Sequence, residues 1–187
     1  MPKDSSAPGS LELVRSFVNS IDLERPETLD AFADLGGARV WLADAGLDPT
    51  GLREEELPEL RELREALRGT LLANSGDGDR KAAWARLASA FSTAKLGITF
   101  LTEGILTLKP LEEHSAPALR GTLLAIVYDA LRDGTWQRLK ACRKHSCLFA
   151  FYDRTKNGSG AWCSMETCGN RVKAQRRRAR ERGAASA

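Results

Sequence analysis

The chain has 187 residues, with 28 Lys+Arg, 25 Asp+Glu, two His and four Cys, enough for one ordinary domain or a modest domain plus a small module. At 42% apolar and 28% charged the composition is globular, and the longest apolar run, Leu123 to Tyr128, falls far short of the roughly 18–20 residues a membrane-spanning helix needs. Residues 1–137 hold 15 basic and 22 acidic side chains whereas residues 138–182 hold 13 and three, an asymmetry that points to an anionic polymer as partner for the second part.

In chain order, Met1 to Ser10 is rich in Ser and Pro and lacks the apolar core of a secretory signal. A disordered N-terminus and a cytoplasmic location are expected. Leu11, Val14, Val18 and Ile21 then recur at helical intervals, with Ser10 placed to cap the start. Pro26 stands where a helix could begin, and the apolar pattern of Phe32, Leu35, Val40, Trp41 and Leu42 runs across a break at Gly36-Gly37. Gly46 is a helix stop. Leu60, Leu63, Leu67 and Leu71 mark an amphipathic helix over 57–71, followed by a loop over 74–79 and a helix carrying Trp84, Leu87 and Phe91. Gly97 to Leu101 and Ile105 to Lys109 predict a hairpin turning at Thr102-Glu103-Gly104. Pro117 opens a further helix through Leu123, Ile126, Val127, Ala130 and Leu131, ended by Gly134. Core packing explains these apolar positions.

All four cysteines lie in Cys142-Arg-Lys-His-Ser-Cys147 and Cys163-Ser-Met-Glu-Thr-Cys168, two C-x4-C pairs separated by fifteen residues. Paired thiolates on two tight turns, joined by a short spacer, are what a tetrahedral zinc site requires. Disulfides compete for the same cysteines, but a cytosolic chain rarely keeps them. Four cysteines close the coordination sphere, so one structural Zn2+ is expected, not a catalytic one, with His145 a bystander in the knuckle and His114 a loop residue. Leu148 to Tyr152 is strand-like, Asn157-Gly158 is a turn signal, and Ser164 can cap a helix that continues into the arginines. The expected arrangement is treble-clef-like: a knuckle, then a hairpin, then the second pair at a helix start. Metal binding would make up for a core too small to fold alone.

Cys168, Val172, Gln175 and Ala179 fall at helical intervals and are expected to face the metal core, which turns Arg171, Lys173, Arg177, Arg178 and Arg180 outward with Arg176 and Arg182 beside them. Four thiolates and one divalent cation contribute about −2, leaving the module at about +8. A cationic helix on a metal-fixed base suits nucleic acid, because Arg binds phosphate or a guanine edge bidentately and a helix fits the major groove. RNA is the alternative, but no aromatic stacking platform is evident beside the arginines, and Phe149, Phe151 and Tyr152 are expected to wrap the metal.

Trp162-Cys-Ser-Met-Glu-Thr-Cys-Gly-Asn-Arg171, followed by Val-Lys and an Arg-rich stretch, resembles the CGNR zinc-finger family of bacteria, and Cys142 to Asn157 is similar to that family's first half. Residues Leu13 to Ile21 resemble the opening Val-Asn-containing helix of the ABATE domain that precedes this finger. The resemblance implies a stress-induced transcription regulator, with Cys142, Cys147, Cys163 and Cys168 as zinc ligands and the finger contacting DNA. Candidate contacts are Lys144, Asn170, Arg171, Lys173, Arg176, Arg177, Arg178 and Arg180. Asn170 either fixes backbone or reads adenine, and Gly169 suggests a close backbone approach. The position before Trp162, often basic in this family, is Ala161 here.

The expected fold is mainly α: a disordered 1–10, an ABATE-like helical domain with a small β-hairpin over 11–135, a CGNR finger with its basic helix over 136–182, and a disordered tail over 183–187. The function expected is a zinc-dependent, DNA-binding transcription regulator, its helical domain sensing a small molecule or mediating assembly with a protein partner or as a homodimer. Alternatives are an interaction or ligand-sensing module with a purely structural zinc, an acidic half that masks the basic half, an RNA-binding protein, and a redox switch at the thiolates. No nucleophile or acid–base set can be assembled, so no enzyme is expected.

Overall fold

The computed structural model describes residues 5–26, 30–100, 104 and 106–185, with backbone alone for Arg176, Arg180 and residues 183–185. Among the described residues there are six α-helices and four short strands, and one long helix supplies much of the core. That helix, α3 (Leu57–Asn74), buries Leu57, Leu60, Leu63, Leu67 and Leu71, each contributing roughly 1.5–3 kcal/mol through apolar burial.

Helix α1 (Leu11–Val18) buries Leu11, Val14, Phe17 and Val18. Ser10 occupies the cap position without capping: its side chain accepts no amide. Glu12 instead accepts from Ala7 N at 2.7 Å and pairs with Arg15. In the segment before α1, Ser5 O accepts from Tyr152 N at 3.1 Å and Ala7 is buried. Met1 to Asp4 lie outside the described residues.

Pro26 lies in a turn; residues 27–29, on which the expected helix would fall, lie outside the described residues, and α2 (Leu35–Asp44) begins later, capped by Asp34. Gly36 and Gly37 do not break the pattern but form the first turn of α2. A Cβ at Gly37 would stand 2.7 Å from Ala31 O, so the chain before the helix folds back closer than a side chain allows. Phe32 packs edge-on against Phe17 with ring centroids 5.2 Å apart.

Helix α4 (Arg80–Ala90) is capped by Asp79 and packs against α3. The antiparallel hairpin forms as expected, β1 (Leu96–Phe100) on β2 (Leu106–Pro110), with Phe100 opposite Leu106. Of its turn only Gly104 is described; Thr102 and Glu103 lie outside. Helix α5 (Ser115–Arg132) starts two residues before Pro117, and Gly134, at φ +79°, follows its end.

The second part of the chain joins the same core. Trp136, Leu139, Ala141 and Ala150 are fully buried within the cluster formed by the helices. Strand β3 (Leu139–Ala141) pairs antiparallel with β4 (Ala150–Tyr152). The finger's hairpin therefore encloses the first cysteine pair, whereas the sequence placed it around Asn157-Gly158. The last helix, α6 (Asn170–Ala185), runs past the expected boundary at 182.

Candidate metal centre and basic helix

The first cysteine pair is set by β3 and a tight turn. Cys142 N donates to Phe149 O at 3.0 Å, extending the β3–β4 ladder, and Cys147 N and Leu148 N both donate to Lys144 O. Leu148 takes φ +47° to leave the turn. The second pair is brought alongside by the loop between Asp153 and Ala161, where Arg143 N donates to Ala161 O at 3.0 Å.

That loop is organised by residues the sequence reading passed over. Lys140 Nζ lies 2.8 Å from Asp153 Oδ2, and both side chains are buried. Lys140 also donates to the Gly158 and Gly160 carbonyls. Burial pushes the Asp153 carboxyl up, but hydrogen bonds from Lys140, from Thr155 Oγ1 and N, and from Gly160 N outweigh it and hold the group at about 2. A Cβ at Gly160 would stand 2.8 Å from the Asp153 carboxylate, so the loop closes only over glycine. The short spacing Gly158-Ser-Gly160, one strand from a lone Lys, is the only trace this hub leaves in the sequence.

The four sulfurs of Cys142, Cys147, Cys163 and Cys168 lie within 4.8 Å of one another. Cys147 Sγ is 3.8 Å and Cys168 Sγ 3.7 Å from Cys163 Sγ. A tetrahedron with metal–sulfur bonds of about 2.3 Å has edges of about 3.8 Å, whereas a disulfide needs about 2.05 Å. The cysteines are unbridged, and the donor set fits a thiolate-bound ion. Hydrogen bonds from Cys147 and Cys163 pull the Cys142 thiol down, and the hydrogen bonds that Cys163 gives to Cys142 and Cys147 push its own thiol up. Four adjacent thiolates need a central cation to coexist. His145 is outside the cluster, its Nε2 3.1 Å from Asp77 Oδ2. His114 holds Asp48 at the start of α5.

Cys168 sits in a π-type turn, Met165–Gly169, closed by Gly169 N donating to Ser164 O at 3.0 Å. Ser164 caps this turn as expected, its side chain accepting from Thr167 N. Gly169 makes the expected close approach, to Met165 and Trp162: a Cβ there would stand 2.6 Å from Met165 Sδ. Asn170 Nδ2 donates to Glu166 O at 3.4 Å, a backbone contact within the helix start.

Helix α6 leaves this turn and packs chiefly against it. Arg171, Lys173, Arg177 and Arg178 are exposed. The inward stripe is shorter than expected: Val172 is half-buried, but Gln175 and Ala179 are exposed, because the helix outruns the small metal core. The side chains of Arg176 and Arg180 lie outside the description. Lys144 is turned elsewhere, onto Glu24 of the helical part, and Arg143 and His145 lie at Asp77. Phe149 lies under Arg15 at 5.9 Å, while Phe151 and Tyr152 line a cleft on the finger.

Comparison with known families matches residues 11–134 to ABATE, described as "Putative stress-induced transcription regulator", and residues 138–181 to the CGNR zinc finger. The chain belongs to the ABATE family. No curated protein matches it. In this ABATE protein the family's two segments are adjacent in sequence and share one core, with Trp136, between the helical part and the finger, fully buried. No helix among the described residues is long and apolar enough to cross a membrane.

Proposed function

We propose that this ABATE protein is a zinc-dependent, DNA-binding transcription regulator of the stress response. One Zn2+ would be held by Cys142, Cys147, Cys163 and Cys168, a closed set that leaves no position for a reacting water, so the ion is structural and the chain is not an enzyme. When bound, the ion supplies a fixed anchor for the turn from which α6 departs. The observation that carries the DNA reading is the exposure of Arg171, Lys173, Arg177 and Arg178 on a helix whose only acidic residue is Glu181.

Lys144 supports a different role, because its ammonium is held by Glu24. The acidic helical part thus neutralises the knuckle, while Arg171, Lys173, Arg177 and Arg178 of α6 stay exposed. Binding of labelled duplex DNA across a salt series tests the reading. Affinity should fall linearly in logarithmic coordinates as counterions are released, and absence of binding in dilute buffer would overturn it.

A further inference from the structure

Beside α6 the finger carries a cleft of about 830 Å³ lined by Phe151, Tyr152, Trp162 and Met165 together with Arg154 and Lys173. Its size falls among those of small-molecule sites, about 300–1,000 Å³. The four cysteines take no part in it. Phe151 is buried, Tyr152 and Trp162 are half-buried, and Met165 is 49% exposed.

The wall of this cleft is tied to the metal turn. Gly169 approaches so closely that a Cβ on it would meet Met165 Sδ at 2.6 Å and Trp162 Cδ1 at 3.2 Å. The cleft and the start of α6 are therefore in direct contact. Arg154 stands over the Tyr152 ring, 5.6 Å from its centroid. Lys173 and Arg177 are four residues apart on one helix and so lie on one face, making a cationic track that begins in the cleft and continues along α6, where Arg177 Nε also lies 3.5 Å from the exposed Glu181 Oε1.

Aromatic faces beside a track of cations are the two elements that hold unpaired nucleic-acid strands: the rings stack bases and the cations follow phosphates. A base within a duplex offers only its edges, so this apolar cleft suits a base that has left the stack. Arg154 and Lys173 outnumber the one carboxylate of the lining, Asp153, which is already paired with Lys140, and so favour a polyanion with flat aromatic units over an apolar peptide. We infer that the cleft binds one unstacked base of a DNA strand whose phosphates run along Lys173 and Arg177. The inference rests on the nucleic-acid reading of α6 and assigns that reader a site for a single unpaired base.

The test uses the full-length, zinc-loaded protein and three fluorescein-labelled probes: a twelve-nucleotide single strand of thymidines, an abasic strand of equal length and charge, and a duplex. The abasic strand should bind about 5- to 100-fold more weakly than the thymidine strand, the range expected for losing one base–aromatic stack. The thymidine strand should quench tryptophan fluorescence, and the quench should vanish in Trp162→Phe. Met165→Glu should weaken thymidine-strand binding about ten-fold with zinc content unchanged. Should that variant lose its metal, the abasic comparison on unaltered protein still decides. Equal affinity for thymidine and abasic strands would overturn the inference and leave α6 as a phosphate binder. Failure to bind any of the three probes at low salt would remove the nucleic-acid reading and the inference together. A dimer, seen by light scattering, that Met165→Glu dissociates would assign the cleft to a second copy and overturn it.

Discussion

Asn19 and Ala150 hold each other as two strands do: Ala150 N donates to Asn19 Oδ1 at 2.7 Å, and Asn19 Nδ2 donates to Ala150 O at 2.9 Å. Asn19 ends α1 of the ABATE segment, and Ala150 opens β4 of the finger. One side-chain amide thus substitutes for a neighbouring strand along the edge of a two-stranded sheet that would be marginal alone. The helical part supports the finger elsewhere too. Arg68 donates to Leu148 O at 3.0 Å, and Asn74 donates to Trp136 O and Leu139 O.

Asn19→Ala should cost about 1–3 kcal/mol, because it leaves both Ala150 groups unpartnered. The loss should register in the finger. Zinc should pass faster to a competing chelator, followed by absorbance, while far-ultraviolet circular dichroism keeps its helical signal. Unchanged melting and unchanged zinc release would show that the contact contributes nothing.

Removing the ion should not release the finger alone. Trp136, Leu139, Ala141 and Ala150 belong to the helical core, so loss of the metal clamp should lower the melting temperature of the whole chain in one transition. Calorimetry with and without chelator would read this. Two separated transitions would mean that finger and helices fold independently.

Asp153→Asn should destabilise the protein by about 3–5 kcal/mol at neutral pH, because it leaves Lys140 buried and unpaired. The pH dependence has a definite sign. With its folded pKa lowered from 3.8 to about 2, ionised Asp153 favours the fold. Its contribution, about 2–3 kcal/mol, is complete above about pH 4 and disappears as pH falls through about 2. Urea midpoints of the parent and the variant should converge over that window, the comparison subtracting acid loss of metal common to both. A gap constant down to about pH 2 would contradict the assignment.

Gly160→Ala should destabilise by about 1–3 kcal/mol, since the added methyl meets the Asp153 carboxylate in a closed loop. Gly134→Ala provides a comparison: open space surrounds that glycine, and only its positive φ opposes a side chain. Equal effects in thermal melts would show that the Asp153 hub does not depend on Gly160.

Much of this was legible in the sequence. Leucines at three- and four-residue intervals give α3, and the cysteine spacing gives a metal site, because both depend on local periodicity. What escaped depends on contacts distant in sequence. Lys140 sits in a strand too short to show alternation, and its partner Asp153 lies thirteen residues away. Gly36-Gly37 reads as a break unless the return of Ala31 is known. Asn157-Gly158 does turn, with Gly158 at φ +58°, but it closes a loop onto Lys140 and joins no strands. The aromatic residues beside the basic helix were assigned to the metal because the packing that brings Phe151, Tyr152 and Trp162 to one cleft is a tertiary property.

Fluorescence anisotropy of labelled duplex DNA, titrated with zinc-loaded parent protein and with Arg177→Ala/Arg178→Ala, tests the central claim most directly. The expected result is one zinc per chain in both proteins, with binding that weakens steeply with salt in the parent. In the double variant binding should be weaker, and its salt slope smaller by about two, as two phosphate contacts disappear. Identical affinity and slope in the two proteins, or equal binding by fully folded metal-free parent, would contradict it.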